Sequence, residues 1–165
     1  METREGLRLL RNRDNHNCFG CSPANAYGLR MEFLTDEKSL FSWLRIPGHL
    51  CGWDNLAHGG VLAAILDETM GWTAIYFTKK FALTNALTVE FHKSVQIGEE
   101  IRVEGRVLEV RAKRGAVVEG YLYKGENTLC AKSTGTFRLF TTKAIVRLGV
   151  LEEEVLKRFD FLIEP

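Results

Sequence analysis

The segment His58-Gly59-Gly60-Val61-Leu62-Ala63-Ala64-Ile65-Leu66-Asp67-Glu68-Thr69-Met70-Gly71-Trp72 constrains the fold more than any other part of the chain. Every residue from Gly59 to Leu66 is glycine or aliphatic, and two carboxylates then follow side by side. The run from His58 to Thr78 is rich in Ala and Leu and has no Pro, with Gly71 as its weak point. It predicts one long helix. Apolar residues on every side of its first half predict a helix enclosed by the rest of the protein. The run is long enough to cross a bilayer, but each carboxylate would cost roughly 2.5–3.5 kcal/mol at the centre of a membrane helix. It is therefore read as a helix buried within protein, and no membrane partner is expected.

Around that helix the chain reads as strand. Leu29, Met31 and Phe33 alternate with Arg30 and Glu32, and Leu40, Ser42, Leu44 and Ile46 line one face of a second strand. From Leu83 to Phe140 strand patterns follow one another: Leu87, Val89 and Phe91; Ile101, Val103 and Val107; Val117 and Tyr121; Leu129, Ala131 and Phe137. Gly98-Glu99, Lys113-Arg114-Gly115 and Lys124-Gly125-Glu126-Asn127 are turns at hairpin spacing. Two strands, one long helix and four more strands make an α+β order, an antiparallel sheet of about six strands wrapped around a single helix. Residues 1–28 read as an N-terminal segment, 29–140 as the main domain, and 141–165 as an extension. In the extension, Leu151 to Phe159 has the spacing and acidic first turn of a peripheral helix.

A chain of 165 residues fits one domain with a substantial core. With 22 basic and 21 acidic side chains its net charge is +1, so no footprint for nucleic acid is expected. Met1 to Glu5 lacks the apolar run of a signal peptide, which makes a cytoplasmic location the expectation.

Cys18-Phe19-Gly20-Cys21 has the spacing of half a zinc site, with His16 two residues upstream. A second such pair is missing, and His49 and Cys51 are the residues that could complete a set. The expectation is a tight turn with two reduced thiols and no metal. A thioredoxin-like role is disfavoured because no strand precedes the motif and no helix clearly follows it.

The element order, with His58-Gly59-Gly60 followed by Asp67, resembles the hotdog-fold acyl-CoA thioesterases, in particular the group of the phenylacetate-pathway thioesterase. Asn17-Cys18-Phe19-Gly20-Cys21-Ser22-Pro23 and Gly28-Leu29-Arg30 are similar to a subgroup of these proteins. Thr84 to Val95 matches the strand that follows the helix, and Thr134-Gly135-Thr136-Phe137 the last strand. The resemblance covers about residues 17–140. It implies hydrolysis of an acyl-CoA thioester, no cofactor (coenzyme A is part of the substrate), and a homodimer or homotetramer whose active sites are shared between subunits.

Thioester hydrolysis needs a group to polarise the carbonyl, a group to attack it and a means of holding the coenzyme. A helix N-terminus offers unpaired N–H groups and positive dipole charge. The resemblance implies that the Gly59 N–H is the oxyanion donor, with Gly60 allowing close approach and His58 capping and packing the loop. It implies that Asp67 attacks the thioester or activates water, and that the hydroxyl of Thr84 orients the water or the carboxylate. Asn85 is the neighbour that a one-residue slip of alignment selects instead. Enclosure would desolvate Asp67 and raise its pKa. Glu68 lies about 100° around the helix from Asp67, so the two cannot share one pocket, and Glu68 is expected to face a partner subunit or solvent. Lys113 and Arg114 are the expected contacts for the phosphates of the coenzyme, with Lys93 and Arg111 behind them.

Two departures stand out. Where related enzymes carry Asn or Gln, about six residues before the His, this chain has Gly52, and Asn55 is the residue that could stand in. The family's strand also ends in Pro where this chain has Ser94. The rival reading on the same fold, a hydroxyacyl dehydratase, needs an acid five residues after Gly60, where Ile65 stands. A non-catalytic acyl-CoA-binding domain is the rival from another class. Trp53, Trp72, Tyr76 and Phe77 either line an aromatic pocket or fill the core.

Overall fold

The computed structural model describes residues 4–111, 115–156 and 159. Nine strands and three helices follow one another along them: β1 Arg8–Leu9, β2 Leu34–Thr35, β3 Leu40–Arg45, β4 Cys51–Trp53, β5 Leu56–Ala57, α1 Gly59–Thr78, β6 Phe81–Phe91, β7 Glu100–Arg111, β8 Gly115–Lys124, β9 Thr128–Phe140, α2 Thr142–Arg147 and α3 Glu153–Leu156. Seven strands form one antiparallel sheet in the order β1-β2-β3-β7-β8-β9-β6, while β4 and β5 form a separate small hairpin. The long helix packs on the sheet across β3, β6, β7, β8 and β9. This is the hotdog arrangement that the element order implies, with one more sheet strand than expected.

Helix α1 starts and stops where its chemistry requires. His58 is extended and caps the first turn, and Lys79 closes the last turn in the left-handed region (φ 54°), its N–H bonded to Ile75 O at 2.9 Å. Leu62, Ile65, Leu66 and Met70 are buried against the sheet. Truncating one of them, Leu66→Ala for example, would cost about 2–5 kcal/mol. Enclosure is incomplete, however. Gly60 is exposed and Ala64, Asp67, Gly71, Ile75 and Thr78 are half-buried, a stripe at helical spacing left open along one side of α1.

Two strand expectations need correction. Leu29, Met31 and Phe33 are buried in alternation, but the ladder contains only Leu34 and Thr35. The backbone of 29–33 bonds elsewhere, because Leu29 N–H and Met31 N–H donate to Phe19 O and Gly20 O, and Leu10 N–H to Phe33 O. On β8 the inward face is Ala116, Val118, Gly120 and Leu122 rather than Val117 and Tyr121. The helix approaches so closely there that a Cβ at Gly120 would lie 3.1 Å from Leu66 Cδ2, and only that phase places the glycine under the helix.

In the extension, α2 is a helix that the sequence reading passed over, capped by the Thr141 hydroxyl, and α3 occupies only part of the expected 151–159 helix. Residues 157 and 158 lie outside the described ones. No helix among the described residues is long and apolar enough to cross a membrane.

Candidate active site

The His58 imidazole Nδ1 accepts a hydrogen bond from the Gly60 N–H at 2.9 Å, and the His58 carbonyl accepts from Val61 N–H and Leu62 N–H. His58 is thus the helix cap, as expected. A Cβ on Gly60 would lie 3.0 Å from His58 Nδ1, so Gly60 serves the cap as well as any ligand. Gly59 is exposed, and its N–H has no hydrogen-bond partner among the described residues. Its surroundings are open: a Cβ there would meet only the Phe91 ring, at 3.7 Å. The positive end of α1 is therefore available to an external oxygen.

Gly52 sits in β4 with its backbone against the cap. A Cβ on it would lie 3.1 Å from His58 Cα and 3.2 Å from Cδ2. The position where related enzymes carry an amide side chain is tight here, and the cap would have to give to admit one. Asn55 is exposed at the turn of the β4–β5 hairpin, and its carbonyl accepts from Ile97 N–H.

Farther along the helix, the Thr84 hydroxyl donates to Asp67 Oδ1 at 2.8 Å. Asp67 is half-buried on the open stripe of α1, and Thr84 is exposed on β6, the strand at the edge of the sheet. The enclosure expected for Asp67 is not found within one chain. A β-bulge between Thr84 and Ala86 makes Asn85 the extra residue in the β6–β9 ladder. Its side-chain amide instead reaches Thr136 Oγ1 at 3.4 Å, so of the two neighbours Thr84 is the one that meets the carboxylate. Eight residues separate Gly59 from Asp67, about 12 Å of helix rise. One chain therefore cannot bring its own Gly59 N–H and Asp67 carboxylate to the same carbonyl.

Glu68 points elsewhere. It is half-buried and turns toward the N-terminal loop. Cys18 Sγ lies 3.6 Å from its Oε1, and Trp72 Nε1–H donates to that same oxygen at 3.1 Å. This sets Glu68 apart from the candidate substrate-binding residues. Burial pushes its carboxyl up to about 7, reinforced by the charge of Cys18. The Cys21 S–H directed at Cys18 holds the Cys18 thiol down at about 5, and the same bond, with burial, pushes Cys21 strongly upward. His49 and Cys51 do not complete this cluster: Cys51 is exposed on β4, and His49 Nε2 lies 3.4 Å from Tyr27 O.

Of the basic residues singled out, Lys113 and Arg114 lie outside the described residues. Lys93 is exposed, and Arg111 pairs with Glu109 at 3.1 Å. Arg111, Asn85, Thr136 and Arg138 line an open groove of about 360 Å³ between β6, β8 and β9. Arg138 is the member of this groove that the sequence reading missed, because its only signal was its place on the last strand. Of the four aromatic residues, Trp72 is buried and stacks on Phe33 at 4.8 Å, and Tyr76 is buried with Phe77 against it. Trp53 is exposed, so the four do not converge on one pocket. Ile65 is fully buried, and the position that a dehydratase would need for its acid is core.

The model of the thioesterase superfamily matches residues 54–131, a span that contains Gly59, Asp67 and Thr84. No curated protein sequence matches the chain. Among solved structures, the chain is similar to a thioesterase-superfamily protein with a TM-score of 0.68 and 21% identity, covering 74% of this chain and 60% of that one. It thus spans less than two thirds of that protein's length. It is also similar to the E. coli PaaI protein of the phenylacetic acid degradation operon, with a TM-score of 0.61, 17% identity, and coverage of 68% of this chain and 80% of that one. A Bacillus halodurans protein solved with CoA aligns with a TM-score of 0.54 and 27% identity, covering 60% of this chain and 70% of that one. The capped helix, the sheet that carries it and the similar solved structures agree on a hotdog fold, within which residues 54–131 match the thioesterase superfamily.

Proposed function

We propose that the protein is an acyl-CoA thioesterase that works as a dimer, with Asp67 as the general base. The observation that carries this reading is the Thr84 hydroxyl on Asp67 Oδ1 at 2.8 Å, at the open edge of the sheet. The hydroxyl occupies one oxygen of the carboxylate and fixes its plane, leaving Oδ2 to take a proton from water. The resulting hydroxide adds to the thioester carbonyl, whose oxygen takes on negative charge. A backbone N–H at a helix N-terminus stabilises such an oxygen, and one donor of this kind is worth about 2.7–4 kcal/mol in the transition state. Collapse breaks the C–S bond, the proton held by Asp67 goes to the leaving sulfur, and the products are a carboxylic acid and free coenzyme A.

The 12 Å between Gly59 and Asp67 along one helix is the reason for a second chain. Strand β6 leaves one side of its backbone unpaired, and Leu83 and Phe91 on it are exposed. Pairing two β6 edges about a two-fold axis would cover the open stripe of α1 and set Gly59 of one subunit across from Asp67 and Thr84 of its partner, giving two equivalent sites. The Arg111 and Arg138 groove offers cationic contacts for the coenzyme phosphates, and Lys113 and Arg114 follow Arg111 in sequence. The match of residues 54–131 to the thioesterase superfamily and the CoA held by the similar Bacillus halodurans protein support this substrate class.

The test is thiol release from a panel of acyl-CoA thioesters, run beside sedimentation. Turnover of at least one thioester by a dimer or larger assembly is expected. Full activity from a monomer at assay concentration would sink the shared cleft. The second reading, a non-catalytic acyl-CoA-binding protein, is favoured by one observation, the tight surroundings of Gly52 where related enzymes carry an amide. It demands tight acyl-CoA binding with no thiol release from any member of the panel.

A further inference from the structure

Outside the proposed cleft, the strongest concentration of chemistry is about 100° round α1 from Asp67. The two sulfurs of Cys18 and Cys21 and a carboxylate oxygen of Glu68 lie within 4.8 Å of one another. Cys18 Sγ is 3.6 Å from Glu68 Oε1 and 3.8 Å from Oε2. On a tetrahedral zinc with bonds of about 2.3 Å to sulfur and 2.1 Å to oxygen, a sulfur and an oxygen ligand stand about 3.6 Å apart. Cys18 and Glu68 already have the spacing that an ion between them would impose, and the Cys21 sulfur lies within 4.8 Å of both.

The loop is built around that carboxylate. A Cβ on Gly20 would lie 2.5 Å from Glu68 Cγ and Oε2, so any side chain at the position between the cysteines would expel Glu68. Neighbours lock the ligands in place: Trp72 Nε1–H holds Glu68 Oε1, and the Asn12 side-chain amide holds Cys21 O at 2.6 Å. Donors of this kind behind a ligand typically raise affinity 10–100-fold. His16 lies in the same loop. Its Nδ1 accepts from the Cys18 N–H, so Nε2 carries the ring proton. That N–H is buried with no partner among the described residues, in a loop where His16 interacts electrostatically with Cys18.

We propose that Cys18, Cys21 and Glu68 bind one zinc ion per chain, with water in the fourth position. Two thiolates and one carboxylate select a borderline-soft divalent ion, and they disfavour magnesium or calcium, which take oxygen ligands. The ion would tie the N-terminal loop to α1 at the residue next to Asp67, fixing the rotation of the helix that presents the base. This proposal departs from the expectation of a metal-free turn drawn from the cysteine spacing. The third ligand comes from the helix, 50 residues beyond Cys18.

The experiment uses the full chain. Elemental analysis of the protein as purified should find one zinc per chain. After chelation under reducing conditions, titration with Co²⁺ alone should produce a thiolate-to-cobalt charge-transfer band and tetrahedral d–d bands that saturate at one equivalent. Cys18→Ser or Cys21→Ser should abolish the band, Glu68→Gln should weaken binding by more than about tenfold, and Cys51→Ser should bind as the native chain does. Because a cysteine variant could fail to fold, a second measurement uses the native sequence: added Zn²⁺ should protect Cys18 and Cys21 from alkylation, read by mass spectrometry, while exposed Cys51 reacts as before. Absence of a cobalt band in the folded native chain would overturn the proposal. So would a band that survives Cys18→Ser, alkylation of Cys18 unchanged by zinc, or a Cys18–Cys21 disulfide in place of metal under reducing conditions.

Discussion

Asp67 and Glu68 are neighbours in sequence and on the same helix, yet their surroundings have little in common. Asp67 sits on the stripe of α1 that the sheet leaves open, beside an edge strand, and its one side-chain partner among the described residues is the Thr84 hydroxyl. Glu68, about 100° further round, is closed in by Cys18, Cys21 and Trp72 under the N-terminal loop. One carboxylate is half-finished by its own chain and the other is met by several of its groups. The difference separates the two uses of the helix. The open side presents a charged group with vacant valence to something outside the chain, and the closed side fixes the helix in place. A carboxylate on a buried helix needs a reason to be there, and these two have different ones.

The largest effect should come from breaking the open side. Asp67→Asn removes the base and is expected to lower thioester turnover at least about 10²-fold, in the range lost with a general base, without changing the circular dichroism of the fold. Glu68→Gln should weaken turnover far less. If Glu68→Gln abolishes thiol release and Asp67→Asn leaves it intact, the two sides have been assigned the wrong way round.

The open side also makes a demand that a self-sufficient site would not. Asp67→Asn lacks the base, and Gly59→Val blocks the oxyanion donor, so each homodimer should be inactive. Mixed under conditions where subunits exchange, the two should regain activity, because a mixed dimer holds one site with an intact Gly59 facing an intact Asp67. Assays over a range of mixing ratios, with maximal recovery near equal amounts, would fit a site shared between chains. Activity that never rises above that of the parents, despite exchange proven by native mass spectrometry, would show that each chain carries its own site.

What the sequence disclosed about these two sides follows from the range of the signals involved. Helix α1 was legible because its cap, composition and stop lie within one continuous stretch from His58 to Lys79, and the meeting of Asp67 with Thr84 was expected from the family likeness. Glu68 was misplaced. Helical geometry says that it points away from Asp67 but not toward what, and the loop that meets it lies 50 residues upstream at Cys18. The inward face of β8 was misread for a local reason, since Val117 and Val118 are both apolar and adjacent, and only the helix packed over Gly120 chooses between the two phases. Leu29 to Phe33 shows the converse: its alternation foretold burial correctly, but hydrogen-bond partners in the N-terminal loop kept it out of the ladder.

A smaller effect is expected from the hydroxyl that orients the base. Thr84→Val keeps the shape of the side chain and removes the bond to Asp67, so turnover should fall about tenfold, the worth of one hydrogen bond of roughly 1.4 kcal/mol. Thr84→Ser should recover most of it. If Thr84→Val turns over as the native chain does, the contact with Asp67 merely packs the edge strand.

The smallest effect concerns the cap at the far end of the open stripe. Related enzymes place an amide before the His, and restoring one by Gly52→Asn might be thought to improve the site. The structure argues the opposite. Even the Cβ of that side chain would stand 3.1 Å from His58 Cα and 3.2 Å from Cδ2, so β4 or the cap must shift to admit it. The shift strains the bond from Gly60 N–H to His58 Nδ1, which holds the first turn of α1 and with it the direction of the Gly59 N–H. Overpacking of this kind costs about 1–3 kcal/mol, and each kcal/mol lowers Tm by roughly 2–4 °C in a domain of this size. Gly52→Asn should therefore melt earlier and turn over no faster than the native chain. His58→Ala, which removes the cap without crowding it, should lose a comparable 0.5–2 kcal/mol or so. A Gly52→Asn protein that is both as stable as the native chain and faster would mean that the hairpin yields freely, and that the amide is missing here for want of a side chain rather than for want of space.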